Sequence, residues 1–498
     1  MRLTLRPLSM IAAAAGFALL GAAPTAQAID EEHYRKARQM IEKSIDYLRT
    51  QQDAESGGWS VPEQGPNIPA ISALVLNGML MEPDIDHTDP TVASGLEYLY
   101  SFQQDDGGIY DVILANYNTA ITVSALAHVN TAEAGEAIER AIPFLKRLQW
   151  SEDAIPGRED TAIVDRSHPF YGGVGYGGSG RPDNSNLNLM LQALHDAGVD
   201  CEDPAFQRAL VFLQRTQMLH KDENGNVIND MPYAEGSQQG GFIYATSPDQ
   251  DNVGAGESKA GMIEESLSDG TVASRLRAYG SVTYAGFKSY IYADLDRDDP
   301  RVQAAYDWIR ENYTLEENPG IGSDGYYYFL IMMSRALDAW GLDQIGTLGI
   351  PVELTFSTGE YTVREGEQIE VALDTGVDAN GVEYTFDRPV VFGTLGRVES
   401  SLTFQNAKLV DGRLYEIVEI PGHTSQSEGD ETAKSGSETF KMVIRLEDRR
   451  DWANDLIDKL DELQNEDGSF RSIDDRWMED NPVLITAYSL IALQHAIN

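Results

Sequence analysis

Just before five polar turns a leucine is followed four residues later by a glutamine: Leu48/Gln52, Leu99/Gln103, Leu145/Gln149, Leu213/Gln217 and Leu460/Gln464. In a sixth place the pair is Ile309/Tyr313. Polar, glycine-rich stretches follow, as in "TQQDAESGGW", "FQQDDGGIY" and "LQNEDGSF". A turn that returns with its flanks marks a repeat, and a repeat restricts the chain to architectures in which neighbouring units cover one another's apolar faces. The stretch before each turn has apolar residues at i, i+3 and i+4 with charges between them, the pattern of a half-buried helix. Asp89-Pro90, Asp203-Pro204 and Asp299-Pro300 supply an N-cap acid and a proline at the first helical position.

A second segment follows each turn, such as "IPAISALVLNGML" or "NPVLITAYSLIALQHA", and it is apolar nearly all round. Such a helix must be buried on almost every side. The unit is then an outer charged helix, a turn and an inner apolar helix. Six units predict an all-α protein, an α/α toroid of two concentric helical rings. Its glutamines are expected to staple one helix end to the next, because carbonyls there lack partners. The spacing breaks once, between Tyr313 and Gln464. Residues 348–447 instead alternate polar and apolar at period two, predicting a small antiparallel β-rich insert before the last pair, with a flexible polar tip at 422–437.

The start, "MRLTLRPLSMIAAAAGFALLGAAPTAQA", has basic residues, a short apolar run and small residues before Ile29. This predicts a signal peptide over 1–28 and a periplasmic or secreted protein. The remaining organisation is 29–347 for repeats one to five, 348–447 for the insert and 448–498 for the last repeat. Acids outnumber bases 80 to 37, for a net charge of −43, which disfavours nucleic acid as a partner. The single cysteine, Cys201, excludes an intrachain disulfide and a cysteine-rich zinc site.

On Leu48, Gln52, Gly57, Gly58 and Trp59, on Leu99, Gln103, Gly107, Gly108 and Ile109, and on Leu460, Gln464, Gly468 and Phe470, the chain resembles the squalene-hopene cyclase and protein prenyltransferase repeat superfamily. It is also similar to exported bacterial proteins carrying these repeats. The resemblance implies a central cavity and a terpenoid cyclase-like or isomerase-like catalyst acting on a hydrophobic small molecule or lipid. Alternatives are a non-catalytic lipid- or peptide-binding scaffold, with the β insert as a protein-binding surface, or a polysaccharide lyase on the same toroid. The cyclases carry Asp-x-Asp-Asp-Thr where this chain has "RPDNSN", which keeps Asp183 without its further acids. The zinc-ligand pattern of the prenyltransferases is not matched, so no metal or other cofactor is expected. Asp183 is the candidate catalytic acid. Arg181, Asn184, Asn186, Tyr117, Tyr284, Tyr327 and Trp477, all at the entries to inner helices, are candidate substrate-binding residues. Aromatic faces there could stabilise a cationic intermediate.

Overall fold

The computed structural model describes residues 29–498 except 155–156, 160–161, 179, 268, 365–368, 396–407, 411–412 and 430–432. The expected signal peptide, 1–28, lies outside the described residues. Helices come in pairs: α1 (Glu31–Thr50) and α2 (Pro69–Leu80), α3 (Pro90–Tyr100) and α4 (Ala115–Leu126), α5 (Ala132–Leu148) and α6 (Asn184–Asp196). They continue with α7 (Pro204–Thr216) and α8 (Gly280–Tyr292), α9 (Pro300–Glu311) and α10 (Tyr326–Trp340), α11 (Trp452–Leu463) and α12 (Pro482–Ile497).

The even-numbered helices form a closed inner ring. α2 packs on α4, α4 on α6, α6 on α8, α8 on α10, α10 on α12, and α12 returns to α2. Every residue of α2 is buried, which accounts for a segment with no charge on any face. The outer α1 buries a single stripe, Ala37, Met40, Ile41, Ser44, Ile45 and Leu48 among it, and turns its charges outward. Each large apolar side chain buried in this way contributes about 1.5–3 kcal/mol.

Four of the five glutamines link one outer helix to the next, while among the described residues the Gln103 side chain bonds only to Gly107 in its own turn. Gln52 Nε2 donates to the carbonyls of Gly57 (2.8 Å) and Thr91 (2.9 Å), one in its own turn and one in the first turn of α3. Gln149 does the same to Gly172 and Ala205, both at 2.9 Å. Gln217 reaches Gly240 and Arg301, both at 2.8 Å, and Gln464 reaches Met40 at 2.9 Å and closes α11 on α1. Tyr313, where the glutamine is missing, sends its hydroxyl to Asp455 of α11 (3.1 Å). Gly57, Gly107, Gly172, Gly240 and Gly468 all have positive φ, and a Cβ on any of them would overlap a carbonyl oxygen of the next outer helix. Only glycine meets both conditions.

The chain is not all-α. Helices account for 41% of it and strands for 18%. Part of the sheet content lies between α7 and α8, where β1 (Gln217–Leu219) pairs with β2 (Gln238–Phe242) and β3 (Met262–Ser266) with β4 (Val272–Leu276). These strands are only three to five residues long, so they carry little of the period-two signal. The remainder is β5 (Gln344–Leu348), β6 (Val352–Ser357), β7 (Tyr361–Arg364), β8 (Ile369–Leu373), β9 (Thr375–Val377), β10 (Glu383–Thr385), β11 (Val391–Leu395), β12 (Tyr415–Gly429) and β13 (Ala433–Asp451). Seven of these form one sheet in the order β10-β9-β6-β13-β12, with β7 and β5 also on β13. The polar tip expected at 422–437 is largely strand: Gln426 pairs with Ser437 and Thr424 with Thr439. Main-chain pairing needs no apolar alternation, which is why the pattern missed it. The sheet has its own core, around Leu354, Phe356, Phe440, Met442 and Ile444.

Candidate functional site

All six inner helices point the same way. Residues at or just before their first turns, including Ile68, Tyr117, Ser185, Val282, Tyr328 and Leu484, line one cavity of about 240 Å³. The exposed first-turn N–H groups are met by side chains from neighbouring segments. Asn118 Oδ1 accepts from Ala70 N (3.1 Å), and Asn318 Oδ1 from Ser281 N (2.9 Å). Asp183 caps α6, Asn481 caps α12, and Glu479 caps α10 from outside it.

The wall is aliphatic and phenolic, with Tyr117, Tyr176, Tyr244, Tyr279, Tyr328 and Tyr488 around it. Two of these phenols meet across the cavity, Tyr117 Oη lying 3.4 Å from Tyr488 Oη. Burial pushes the Tyr117 phenol up to about 12. No lysine or arginine lines the cavity, and its one carboxyl among the described residues is Glu479. This side chain is 1% exposed. Its Oε1 accepts from Tyr328 N (2.8 Å) and its Oε2 from Tyr327 N (3.3 Å). Burial raises its pKa to about 7, outweighing the two backbone donors that favour the carboxylate. A carboxyl that titrates near neutrality can both give and take a proton.

The segment carrying Glu479 is held in an uncommon backbone conformation. Trp477 and Met478, neither of them glycine, have φ of 56° and 67°. Such residues cost roughly 1–3 kcal/mol each and persist where their surroundings fix them. The fixing contacts are visible. Arg476 pairs with Asp324 and lies 4.5 Å above the Trp477 ring, while Ser323 Oγ donates to Asp474 at 3.2 Å. The indole rests on Gly325, where a Cβ would come within 2.7 Å of it.

The residues singled out from sequence divide into three groups. Tyr117 and Trp477 line the cavity. Asp183 is fully buried behind its wall, and its Oδ1 accepts from Asn186 N (2.9 Å) and Ser185 Oγ (2.6 Å). Burial raises its pKa. It reaches the cavity only through Ser185, a lining residue, and its charge adds to burial, the larger cause, in raising the phenols of Tyr176 and Tyr244. The others serve the scaffold. Arg181 pairs with Glu257, Asn184 Nδ2 donates to Ile243 O (2.7 Å), and Asn186 Nδ2 donates to Asp183 (2.9 Å). Tyr284 is buried against Phe329, and Tyr327 against Phe470. Glu479 escaped the sequence reading. In "RWMEDNP" it stands among exposed acids, and only its position over α10 distinguishes it.

No protein-family model matches the sequence, and no curated protein does. Among solved structures the chain is similar to the type II terpene cyclase MstE from Scytonema in its apo form. The identity is 15% over 62% of this chain and 60% of that chain, with a TM-score of 0.26. A variant of that cyclase in complex with its substrate, geranylgeranyl dihydroxybenzoate, is matched at 14% identity, 63% and 61% coverage and the same TM-score of 0.26. The chain spans about three-fifths of the length of these structures. A TM-score this low assigns neither fold nor activity, and the chemistry rests on the residues of this chain. Among the described residues there is no group of side chains that could hold a metal ion, and no helix long and apolar enough to cross a membrane.

Proposed function

We propose that the phenol-lined cavity binds a largely apolar, unsaturated small molecule of the isoprenoid kind, and that Glu479 moves a proton on it. The reaction is isomerase-like. The observation that carries this reading is a lone carboxyl, raised to about 7, in an otherwise apolar and phenolic cavity. Direct protonation of an isolated alkene, as in a cyclisation, calls for an acid far stronger than a carboxyl of this kind. Glu479 is suited instead to removing a proton beside a carbonyl or conjugated system and returning it elsewhere. The hydroxyls of Tyr117 and Tyr488 are placed to donate to an oxygen that gains charge, and six helix N-termini favour negative charge at this end of the ring. An acidic polysaccharide fits poorly, since no basic side chain lines the cavity.

The test is extraction of protein purified from its native cells, followed by mass spectrometry of the released small molecules. An apolar unsaturated molecule is expected with wild type and not with Ser185→Trp, which fills the cavity. Incubated with the protein in heavy water, that molecule should gain deuterium. Glu479→Gln should slow the exchange by about 10²-fold or more. Recovery of polar molecules alone, or equal exchange by the two proteins, overturns the proposal.

A further inference from the structure

The opposite end of the inner ring holds a second cavity, of about 780 Å³, lined by the last turns of the same helices. Its character is different. Asn77 comes from α2, His128 follows α4, Gln192 and Asp196 come from α6, Arg335 and Asp338 from α10, and His495 from α12.

Of the three acids that line it, Asp196 and Asp338 are engaged within the cavity, and Asp294 is exposed to solvent. Asp196 accepts from Gln192 Nε2 at 2.8 and 3.0 Å, and Asp338 Oδ2 lies 2.6 Å from His495 Nδ1. Lys288, wholly buried behind the wall, donates to Gln192 Oε1. Arg335 is the exception. It is 6% exposed, it forms no ion pair or hydrogen bond among the described residues, and its Nε is buried without a partner. The nearby bases feel it: burial first, and then the charge of Arg335, lower the pKa of Lys288 and of His128. A buried guanidinium with open donors is costly unless an acceptor of opposite charge meets it. The buried unmet hydrogen-bonding capacity of this cavity is therefore the donor capacity of Arg335, whose planar fork matches a carboxylate.

We propose that this second cavity is a binding site for an organic monocarboxylate, with the carboxylate on Arg335 and an apolar body against Met81, Val199, Ile291 and Ala339. Those four residues line the same cavity and give it an apolar side that a bare ion would not use. A monoanion is favoured over a phosphate because Asp196 and the converging helix C-termini oppose a second negative charge. The site is separate from the phenol-lined cavity and does not depend on the reaction proposed there.

The experiment is isothermal titration of the full chain with octanoate, and in parallel with inorganic phosphate. Wild type should bind octanoate and show no comparable heat with phosphate. Arg335→Met, close in volume to the arginine stem, should weaken octanoate binding at least tenfold. Val199→Trp, a partly buried loop residue far from the guanidinium in sequence, should block the cavity and abolish binding with Arg335 intact. It carries the test if Arg335→Met does not fold. Absence of octanoate binding at millimolar concentration overturns the proposal. So does equal binding by wild type and Val199→Trp, or phosphate bound as tightly as octanoate.

Discussion

Glu479 is one carboxyl whose environment sets a property of the whole protein. An acid with a folded pKa of about 7 and an ordinary value of 4.5 is protonated in both states below pH 4.5. As pH rises from there the unfolded chain ionises first, so the folded state loses stability progressively until about pH 7 and no further beyond it. The difference corresponds to about 3 kcal/mol. Glu479→Gln should therefore remove a downward slope in stability between pH 4.5 and 7, as read from urea unfolding at a series of pH values. A slope unchanged by the substitution would show that the carboxyl ionises equally well in both states. Asp183 is raised in the same sense by burial. The sequence marked Asp183 because it opens an inner helix, and that placement is correct in the structure. It could not show that both carboxylate oxygens would be spent on Ser185 and Asn186. Nor could it single out Glu479, because burial in a loop is decided by what packs over the loop.

At the level of elements, the recurring turn carries most of what was legible. Helix pairs, their aspartate-proline starts and the position of the glutamine all follow from local pattern, although the carbonyl that the glutamine reaches lies in a distant segment. The strands between α7 and α8 do not, since at three to five residues each is too short to show a period. The staple makes a graded prediction. Gln149 is wholly buried, so Gln149→Leu removes two buried hydrogen bonds, to the carbonyls of Gly172 and Ala205, and should cost about 2 kcal/mol or more. Gln52 is only partly buried, so water can replace its amide and Gln52→Leu should cost less. Gly172→Ala should be at least as severe as Gln149→Leu, because it adds a Cβ at φ +82° against the Arg208 carbonyl. Denaturant midpoints for the three variants would rank them, and equal midpoints would refute the staple as a source of stability.

Over the whole molecule, the sheet meets the rings where the chain crosses between them and along α9, where Arg310 pairs with Glu447 and Arg445 with Glu311. β5 and the end of β13 pair in register, with Leu348 opposite Glu447, so the chain leaves the rings and returns to them at adjacent points. The sheet's core shares no residue with that of the helices. Replacing residues 349–446 with a short Gly/Ser linker should leave a cooperatively unfolding helical protein, checked by circular dichroism and thermal melting. Loss of the helical signal would show that the sheet props the rings. The rings themselves close between residues more than four hundred positions apart: Lys36 with Asp458, Gln464 with Met40, and Gln494 with the carbonyl of Gly78. A ribosome makes these partners in order, so α2 must wait, with its uniformly apolar surface uncovered on one side, until α12 has been synthesised. Glu479 arrives in that same final stretch. A chain interrupted before it would lack both the closing helix and the acid, so the cavity and its proposed chemistry come into being together, at the end of translation.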